Sequence, residues 1–253
     1  MKSPLKAKPL NNPAQSLEKR LVDIALDRVF FPLIVSMLVI AYTVYEWVRW
    51  YFELPPNPVI WTILAIVFAS YSAFKIVRTF KEVKLLEQGI AGEKAVGQFL
   101  ERLRSDGAEV FHDVQGDNFN LDHVVIHRSG IYVVETKTMS KPATGKTELV
   151  FDGQQVFRNG KALLRNPVIQ VSAASAWLRE LLEDSSGRKV AVKGIVTFPG
   201  WFIHSSHNTS KNNIWVLNPR AIPSFIGKQT ASLSAEDVHL LKFHLGKYVR
   251  AKY

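Results

Sequence analysis

An acid and a base close an otherwise apolar segment of this chain. Residues 130–137 read GIYVVETK, and the apolar, β-branched first half is typical of a buried strand. Alternate residues of a strand project from the same face, so Glu135 and Lys137 point the same way. Two interpretations follow. Either the strand runs out into solvent, where charges cost little, or the two residues are a catalytic Glu-x-Lys pair.

A second carboxylate precedes this pair by one hairpin. Asp122 lies in the predicted strand LDHVVIH, which a tight turn at residues 128–130 joins to IYVVETK. Neighbouring strands lie about 4.8 Å apart, so Asp122 and Glu135 face each other if the register allows it. Two carboxylates that close repel, and one stays protonated unless a cation lies between them. Oxygen ligands favour Mg²⁺ or Mn²⁺, and Lys137 can then orient water or stabilise a phosphate, as phosphodiester hydrolysis requires.

The pattern Asp-x12-Glu-x-Lys resembles the signature of the PD-(D/E)xK nuclease superfamily, and residues 89–200 resemble its nuclease-related domain, NERD. The matching motifs are GIAGEKAV, FNLDHVVIHRSGIYVVETK, NPVIQV and IVTFPG, in that order. The proline that often precedes the first acid of the superfamily is replaced by Leu121, whereas the Asp122-His123 order looks usual for NERD. The resemblance implies a restriction-endonuclease-like mixed sheet flanked by helices. It implies metal ligands at Asp122 and Glu135, a catalytic lysine at Lys137, and site residues on two core helices at Glu93 and Gln170.

The composition narrows the choice of partner and chemistry. The chain has 253 residues and a formal net charge of +10, which favours an anionic partner such as nucleic acid or the anionic face of a membrane. It contains no cysteine, which excludes disulfides, thiolate catalysis and cysteine-bound metals.

The N-terminal third predicts a two-span transmembrane hairpin. Two apolar runs occupy residues 29–48 and 58–74, and about 20 helical residues span a hydrocarbon core. The connection RWYFELPPNP is rich in proline and aromatic residues, which is typical of a turn at a membrane–water boundary. A buried helical hairpin of a soluble domain is the alternative. A cleaved signal peptide fits less well, because the first run starts late and no small-residue cleavage site follows it.

The basic residues predict the orientation of this hairpin. They flank its outer ends at Lys2, Lys6, Lys8, Lys19, Arg20, Arg28, Lys75, Arg78, Lys81 and Lys84, whereas the turn carries only Arg49. Bases stay on the cytoplasmic side, so we expect an integral protein of the inner (cytoplasmic) membrane with both termini cytoplasmic. The glycosylation sequon at residues 208–210 would then stay unmodified.

The predicted organisation has four parts. Residues 1–28 form a disordered basic segment, 29–79 the hairpin, 80–91 a linker helix, and 92–253 a NERD-type domain with a C-terminal helix. Within the last part the pattern predicts a helix opening at Gly92-Glu93, three strands, a helix, a strand and further elements, which is an α/β mixed sheet flanked by helices. Predicted caps include Asn166 before Pro167, and Ser234 with Asp237.

Four other motifs are weaker candidates for binding phosphate, a metal ion or a polyanion. Gly145-Lys146-Thr147 lacks the glycine that a phosphate-binding loop needs, because Ser140 stands at that position. His204 and His207 lack a third metal ligand, so a polar loop is favoured, and a packed or hydrogen-bonded role is favoured for His123. The basic run on the last helix fits a solvated face or a contact with nucleic acid or lipid; its members are Lys242, Lys247, Arg250 and Lys252.

Together these observations predict a membrane-anchored, Mg²⁺-dependent nuclease that acts on nucleic acid, DNA in particular. Two alternatives keep the fold: a nucleic-acid-binding module without catalysis, and a membrane scaffold whose α/β domain binds protein. The combination of Asp122, Glu135 and Lys137 favours the enzyme, because a binding-only domain has no need for two acids in a phosphate site. Salt-sensitive binding to polyanions would separate the scaffold from the other two.

Overall fold

The computed structural model describes residues 10–54, 57–141, 147–205 and 213–252. The sequon at 208–210, His207, Gly145-Lys146, the prolines at 55 and 56 and the first three lysines lie outside these ranges. The chain divides into two compact units. One is Ser16–Gln88, and the other contains the described residues before Ser16 and after Gln88.

The first unit is helical. Its elements are α1 (Gln15–Ile24), a π-helical turn (Ala25–Phe30), α2 (Phe31–Tyr51) and most of α3 (Pro58–Leu100), which contributes residues to both units. Disorder was expected through residue 28, but the helix already begins at Gln15. Its bases are not left unpaired: Arg20 and Arg28 donate hydrogen bonds to the Glu82 carboxylate at 3.2 and 2.7 Å. Their charge is therefore partly neutralised inside the helical unit.

The helical unit buries polar side chains and exposes apolar ones. Two helical stretches, Gln15–Tyr51 and Pro58–Asp106, are long and apolar enough to cross a membrane, yet only 17% and 11% of their most apolar windows are buried. The buried residues of α2 include Ser36, Thr43 and Glu46. A soluble hairpin buries its apolar face instead, so the alternative of a buried soluble hairpin finds no support in this burial pattern.

The second unit is built on a mixed sheet. Its strands are β1 (Glu109–Gln115), β2 (Asn120–His127), β3 (Gly130–Thr136), β7 (Val192–Thr197) and β9 (Ile214–Leu217), side by side in the order β1-β2-β3-β7-β9. β1, β2 and β3 are antiparallel, whereas β7 and β9 join in parallel. A smaller sheet has the order β6-β5-β4-β8, with β4 (Glu148–Phe151), β5 (Val156–Arg158), β6 (Lys161–Ala162) and β8 (Phe202–Ser205).

Helices cover both faces of the main sheet. On one face, α4 (Pro167–Ser186) and α6 (Ala235–Lys252) share a hydrophobic cluster with Val124 and Val133. On the other face, the end of α3 and the short α5 (Ile222–Gly227) pack against Tyr132 and Val134. Alternate residues of β3 thus enter opposite cores, which explains why the strand is apolar throughout. The predicted α/β mixed sheet flanked by helices is confirmed.

Local signals placed several boundaries correctly. Asn166 caps α4 by accepting a hydrogen bond from the Val168 amide at 3.0 Å, and Pro167 is the first helical residue. Ser234 and Asp237 cap each other before α6. Gly107 ends the helical segment in the left-handed conformation.

Other boundaries differ from expectation. No helix begins at Gly92: α3 passes through it without a break, so the predicted linker at residues 80–91 and the first core helix are one element. No proline interrupts residues 80–91, and a single glycine weakens a helix by only about 1 kcal/mol. Strand β8 and helix α5 were missed, because each is short and lacks a clear periodicity.

Candidate active site

The antiparallel register brings acids together across three adjacent strands. β2 and β3 pair His123 with Val134, and one step further along this register places Asp122 opposite Glu135. The register of β1 with β2 places Asp113 opposite Asp122 in the same way. Three carboxyl-bearing residues therefore stand at one level of the sheet, as the sequence predicted for the pair Asp122 and Glu135.

Glu135 is held on one oxygen and left free on the other. Its Oε1 accepts hydrogen bonds from the Lys137 Nζ and the Gln170 Nε2, both at 2.7 Å. Lys137 also donates to the Gln170 Oε1 at 2.8 Å, which closes a three-membered network. Glu135 is buried, and its Oε2 has no hydrogen-bond partner within the described part of the chain. A buried carboxylate oxygen without a partner is unfavourable, so this atom is suited to a ligand from outside the chain.

Asp122 is tied to the backbone of the next strand. Its Oδ2 accepts a hydrogen bond from the Thr136 amide at 2.7 Å. Burial, followed by repulsion from Glu135 and Glu93, raises the Asp122 pKa well above its ordinary value, and the Thr136 amide and Lys137 only partly oppose this. Burial likewise raises the Glu135 pKa, against the attraction of Lys137. Without a cation these carboxyls therefore retain their protons more strongly than isolated carboxyls do, because one lysine does not offset burial and their mutual repulsion.

Glu93 adds a further carboxylate from α3. It is 9% exposed, and burial together with the charges of Asp113 and Glu135 raises its pKa to about 7. Gly92 allows this approach: a Cβ added at Gly92 would lie 2.0 Å from the Thr138 Cγ2, a distance at which atoms overlap. The helix therefore passes close to the residue that follows Lys137 only because position 92 has no side chain.

Two contributions to the environment of these carboxylates were not predicted from the sequence. Asp113 is 2% exposed and adopts a positive φ of 48°, and its Oδ1 accepts a hydrogen bond from the Asn120 Nδ2 at 3.1 Å. An acid inside the apolar strand AEVFHDV, at the register position opposite Asp122, was the available signal. Residues 10–14, which were expected to be disordered, contact the α/β unit: the Asn11 Nδ2 donates to the Asp113 carbonyl at 2.8 Å, and the Ala14 amide donates to Glu93.

The remaining sequence candidates lie elsewhere. His123 is fully buried and its Nδ1 lies 2.8 Å from the His112 Nδ1, which confirms the hydrogen-bonded interpretation. The His204 Nε2 lies 3.7 Å from the Glu148 Oε2, and His204 belongs to the edge strand β8 rather than to the polar loop that was expected. On α6, Lys242 pairs with Glu109, and Lys252 pairs with Asp117 at 2.9 Å, so these two bases sit in ion pairs on a solvated face.

The donor set suits a hard divalent cation. No group of three or more His, Cys, Asp or Glu side chains is arranged to hold a metal ion in residues 10–54, 57–141, 147–205 or 213–252. Mg²⁺ does not need such a cage, since it is commonly bound by one or two carboxylates, waters and substrate phosphates. Asp122 and Glu135 supply two carboxylates on neighbouring strands, one of them with a free buried oxygen. These residues fit the ion that the sequence predicts.

Comparisons with known proteins agree with the sequence motifs. Residues 88–199 match the sequence model of the family described as nuclease-related domain, NERD. An uncharacterized protein of Bacillus anthracis is 35% identical over 88 residues, which are 33% of this chain and 41% of that relative. The structure of SfsA from Pyrococcus furiosus in complex with Ca²⁺ gives a TM-score of 0.25 at 13% identity, over 52% of this chain and 55% of that one, too low to carry an argument. The resemblance expected over residues 89–200 is thereby confirmed as a match of residues 88–199 to the nuclease-related domain model.

Proposed function

We propose that this protein is a membrane-anchored, divalent-metal-dependent nuclease that hydrolyses phosphodiester bonds, in DNA in particular. The observation that carries the proposal is the Glu135 carboxylate. Its Oε1 is fixed by Lys137 and Gln170, while its buried Oε2 has no partner in the described structure. A side chain that serves only the fold would satisfy both oxygens.

Each residue of the site has a distinct role in this proposal. Asp122 and Glu135 would hold the metal, Mg²⁺ or Mn²⁺, which when bound activates water and shields the charge of the phosphate. Gln170 fixes the orientation of Glu135 and Lys137, because its amide contacts both side chains. The Lys137 Nζ supplies positive charge where negative charge develops on the phosphate oxygens.

Glu93 is placed to hold a proton during the reaction. Its pKa of about 7 means that the carboxyl is close to half-protonated at neutral pH. A group with this pKa can accept and release protons under physiological conditions, which is what general acid–base catalysis requires. Burial and neighbouring carboxylates produce the shift, so the same crowding that favours a cation also tunes Glu93.

The helical unit is proposed to anchor this domain to the inner membrane through residues 29–79. Its support is the exposure of apolar side chains on both candidate spans and the bases that flank them. Reporter fusions at residue 57 and at the C-terminus should report opposite sides of the membrane, with the C-terminus cytoplasmic. Reports from the same side would contradict the hairpin.

The enzymatic proposal is tested on the full-length protein in detergent or nanodiscs. Labelled single- and double-stranded DNA and RNA are incubated with Mg²⁺, Mn²⁺ or a chelator. We expect cleavage that needs the metal, persists in Lys247→Ala, an exposed lysine of α6, and is lost in Glu135→Gln. Persistent binding without cleavage of any substrate under either metal would contradict the enzyme and favour a binding-only module.

A further inference from the structure

A basic cleft opens beside Lys137. It has a volume of about 610 Å³, and its basic lining residues are Lys137, Arg158, Lys161 and Arg165. Apolar residues such as Leu163 and Phe198 complete the lining, and none of the described lining residues is acidic. Because Lys137 belongs to both the cleft and the carboxylate site, a chain bound along the cleft reaches the proposed reaction centre.

The outer wall of the cleft is a two-strand ribbon that holds two bases against each other. β5 and β6 pair Arg158 directly with Lys161, and the turn between them uses Asn159 and Gly160, both with positive φ. Side chains directly opposite on such a ribbon lie on the same face, and like charges there destabilise it. Within the described residues neither base has an ion-pair partner, so their positive charge is not neutralised by the protein.

Arg158 is held in place before any ligand arrives. Its guanidinium lies 4.8 Å from the ring centre of Trp201. Trp201 is buried, and its Nε1 donates to the Met139 carbonyl at 3.3 Å, so the platform itself is fixed. A guanidinium on an aromatic face keeps the N–H groups at its edge free to bind phosphate oxygens.

We infer that this cleft binds the sugar-phosphate backbone of the polynucleotide substrate next to the scissile phosphate, with Arg158, Lys161 and Arg165 contacting phosphates. The inference rests on the proposed nuclease function. A polynucleotide is the occupant because it is an extended polyanion, and the cleft joins the catalytic lysine to three bases that have no ion-pair partner among the described residues. A lipid headgroup or free phosphate is small, so it would contact only part of the cleft and leave some of its basic side chains without an anion.

The binding test separates this inference from the proposed chemistry. The affinity of full-length protein for a fluorescent DNA duplex and a single strand is measured in chelator at several KCl concentrations. Each of Lys161→Ala and Arg165→Ala should weaken binding about 3–10-fold and reduce the salt slope by about one ion. Lys189→Ala and Lys228→Ala, exposed bases outside the cleft, are the matched controls and should leave both quantities unchanged.

Kinetics and rival ligands complete the test. At saturating DNA the cleft variants should cleave within about threefold of wild type, whereas Lys137→Ala loses rate. Unchanged affinity and salt slope in Lys161→Ala and Arg165→Ala would overturn the inference, even if the nuclease is active. If the cleft substitutions weaken DNA binding as expected but the wild type cleaves no substrate, the cleft inference stands and the proposed nuclease activity is wrong. Inorganic phosphate and anionic vesicles are tested as rival ligands of the same variants. If the cleft substitutions weaken binding of phosphate or vesicles but not binding of DNA, the cleft is a site for those ligands.

Arg158 provides a second variant that tests the stacked geometry. Arg158→Lys retains the charge but loses the planar contact with Trp201, so we expect weaker DNA binding with most of the salt slope kept. Circular dichroism checks the fold of each variant. Replacement of Arg158 could disturb the packing over Trp201. Lys161 and Arg165 are exposed, so their alanine variants should fold normally and still test the cleft.

Discussion

The two units of this chain bury polar groups in opposite ways. In the helical unit, buried polar side chains are satisfied: Ser36 lies 2.7 Å from the Ser72 hydroxyl, and Thr43 donates to the Trp61 carbonyl at 3.0 Å. In the α/β unit, the described residues include buried polar atoms without partners on His123, Glu135, Thr136 and Ser175. Glu135 and Thr136 lie at the carboxylate cluster.

Buried polar groups with hydrogen-bond partners stabilise the fold, whereas buried polar groups without partners are available to bind a ligand. A hydroxyl between two helices forms its hydrogen bonds when the helices meet, so removing it weakens the structure. A crowded carboxylate opposes folding until a cation binds, so neutralising it strengthens the structure and abolishes function. Substitutions in the two units should therefore have opposite effects on stability.

Lys137→Ala should give the largest effect. If Lys137 stabilises charge that develops on the phosphate, its loss should lower the single-turnover cleavage rate by roughly 10²–10³-fold, or about 3–4 kcal/mol. Substrate affinity should change far less. The measurement is cleavage and binding in parallel, and a loss of affinity with an unchanged rate would reduce Lys137 to a binding charge.

Gly92→Ala should both destabilise the α/β unit and lower activity. The new methyl group would overlap the Thr138 Cγ2, and overpacking of this kind typically costs about 1–3 kcal/mol. Thr138→Ser removes that methyl group, so the double variant should recover much of the stability lost in Gly92→Ala. Thermal unfolding of all four proteins measures the coupling, and additive effects would show that this contact does not position α3.

Glu93→Gln should stabilise the protein in a pH-dependent way. The folded-state pKa of about 7 lies above the ordinary value of 4.5, so the folded state binds the proton more tightly. The stability that this proton supplies is present at pH 4.5 and is lost as pH rises through 7. Glu93→Gln should therefore exceed wild type by about 1–3 kcal/mol at pH 8 without metal, and by little at pH 4.5.

Hydrogen exchange of peptides from β2 and β3 measures this difference within the α/β unit. Equal protection of wild type and Glu93→Gln at pH 8 would show that the carboxylates are not crowded. Added Mg²⁺ should raise the protection of wild type, because it neutralises the same cluster.

Ser36→Ala should have the smallest effect and the opposite sign. Hydrogen bonds between transmembrane helices contribute about 0.6 kcal/mol on average, so with the proposed membrane hairpin the variant should be slightly less stable at every pH. Unfolding of the full-length protein in detergent measures it, with exposed Val44→Ala as a control on the same helix. A stabilised Ser36→Ala would break the contrast between the units.

Features that depend on residues close together in the sequence could be predicted, whereas contacts between distant segments could not. The apolar runs, the β2–β3 hairpin and the caps at Asn166 and Ser234 follow from local patterns, and the structure contains them. The sequence left the register of this hairpin open, and the register in the structure places Asp122 opposite Glu135.

Contacts between distant segments had no such local signal. The contribution of Asp113 depends on a positive φ and on a bond from Asn11, which lies 102 residues away. The role of Gly92 depends on the approach of Thr138, so the residue looked like a helix start. The ribbon of β5 and β6 was not predicted, although the two-residue turn at Asn159 and Gly160 is a local hairpin signal.

Binding of Mn²⁺ to wild type, Asp122→Asn and Glu135→Gln shows whether the unpaired carboxylate oxygen of Glu135 serves a divalent cation. Electron paramagnetic resonance counts free and bound Mn²⁺ on the full-length protein at pH 7.5. We expect one or two sites in wild type, and affinity at least tenfold weaker in both variants, which corresponds to about 1.4 kcal/mol or more. Equal binding by all three proteins would remove Asp122 and Glu135 from the metal site and contradict the account.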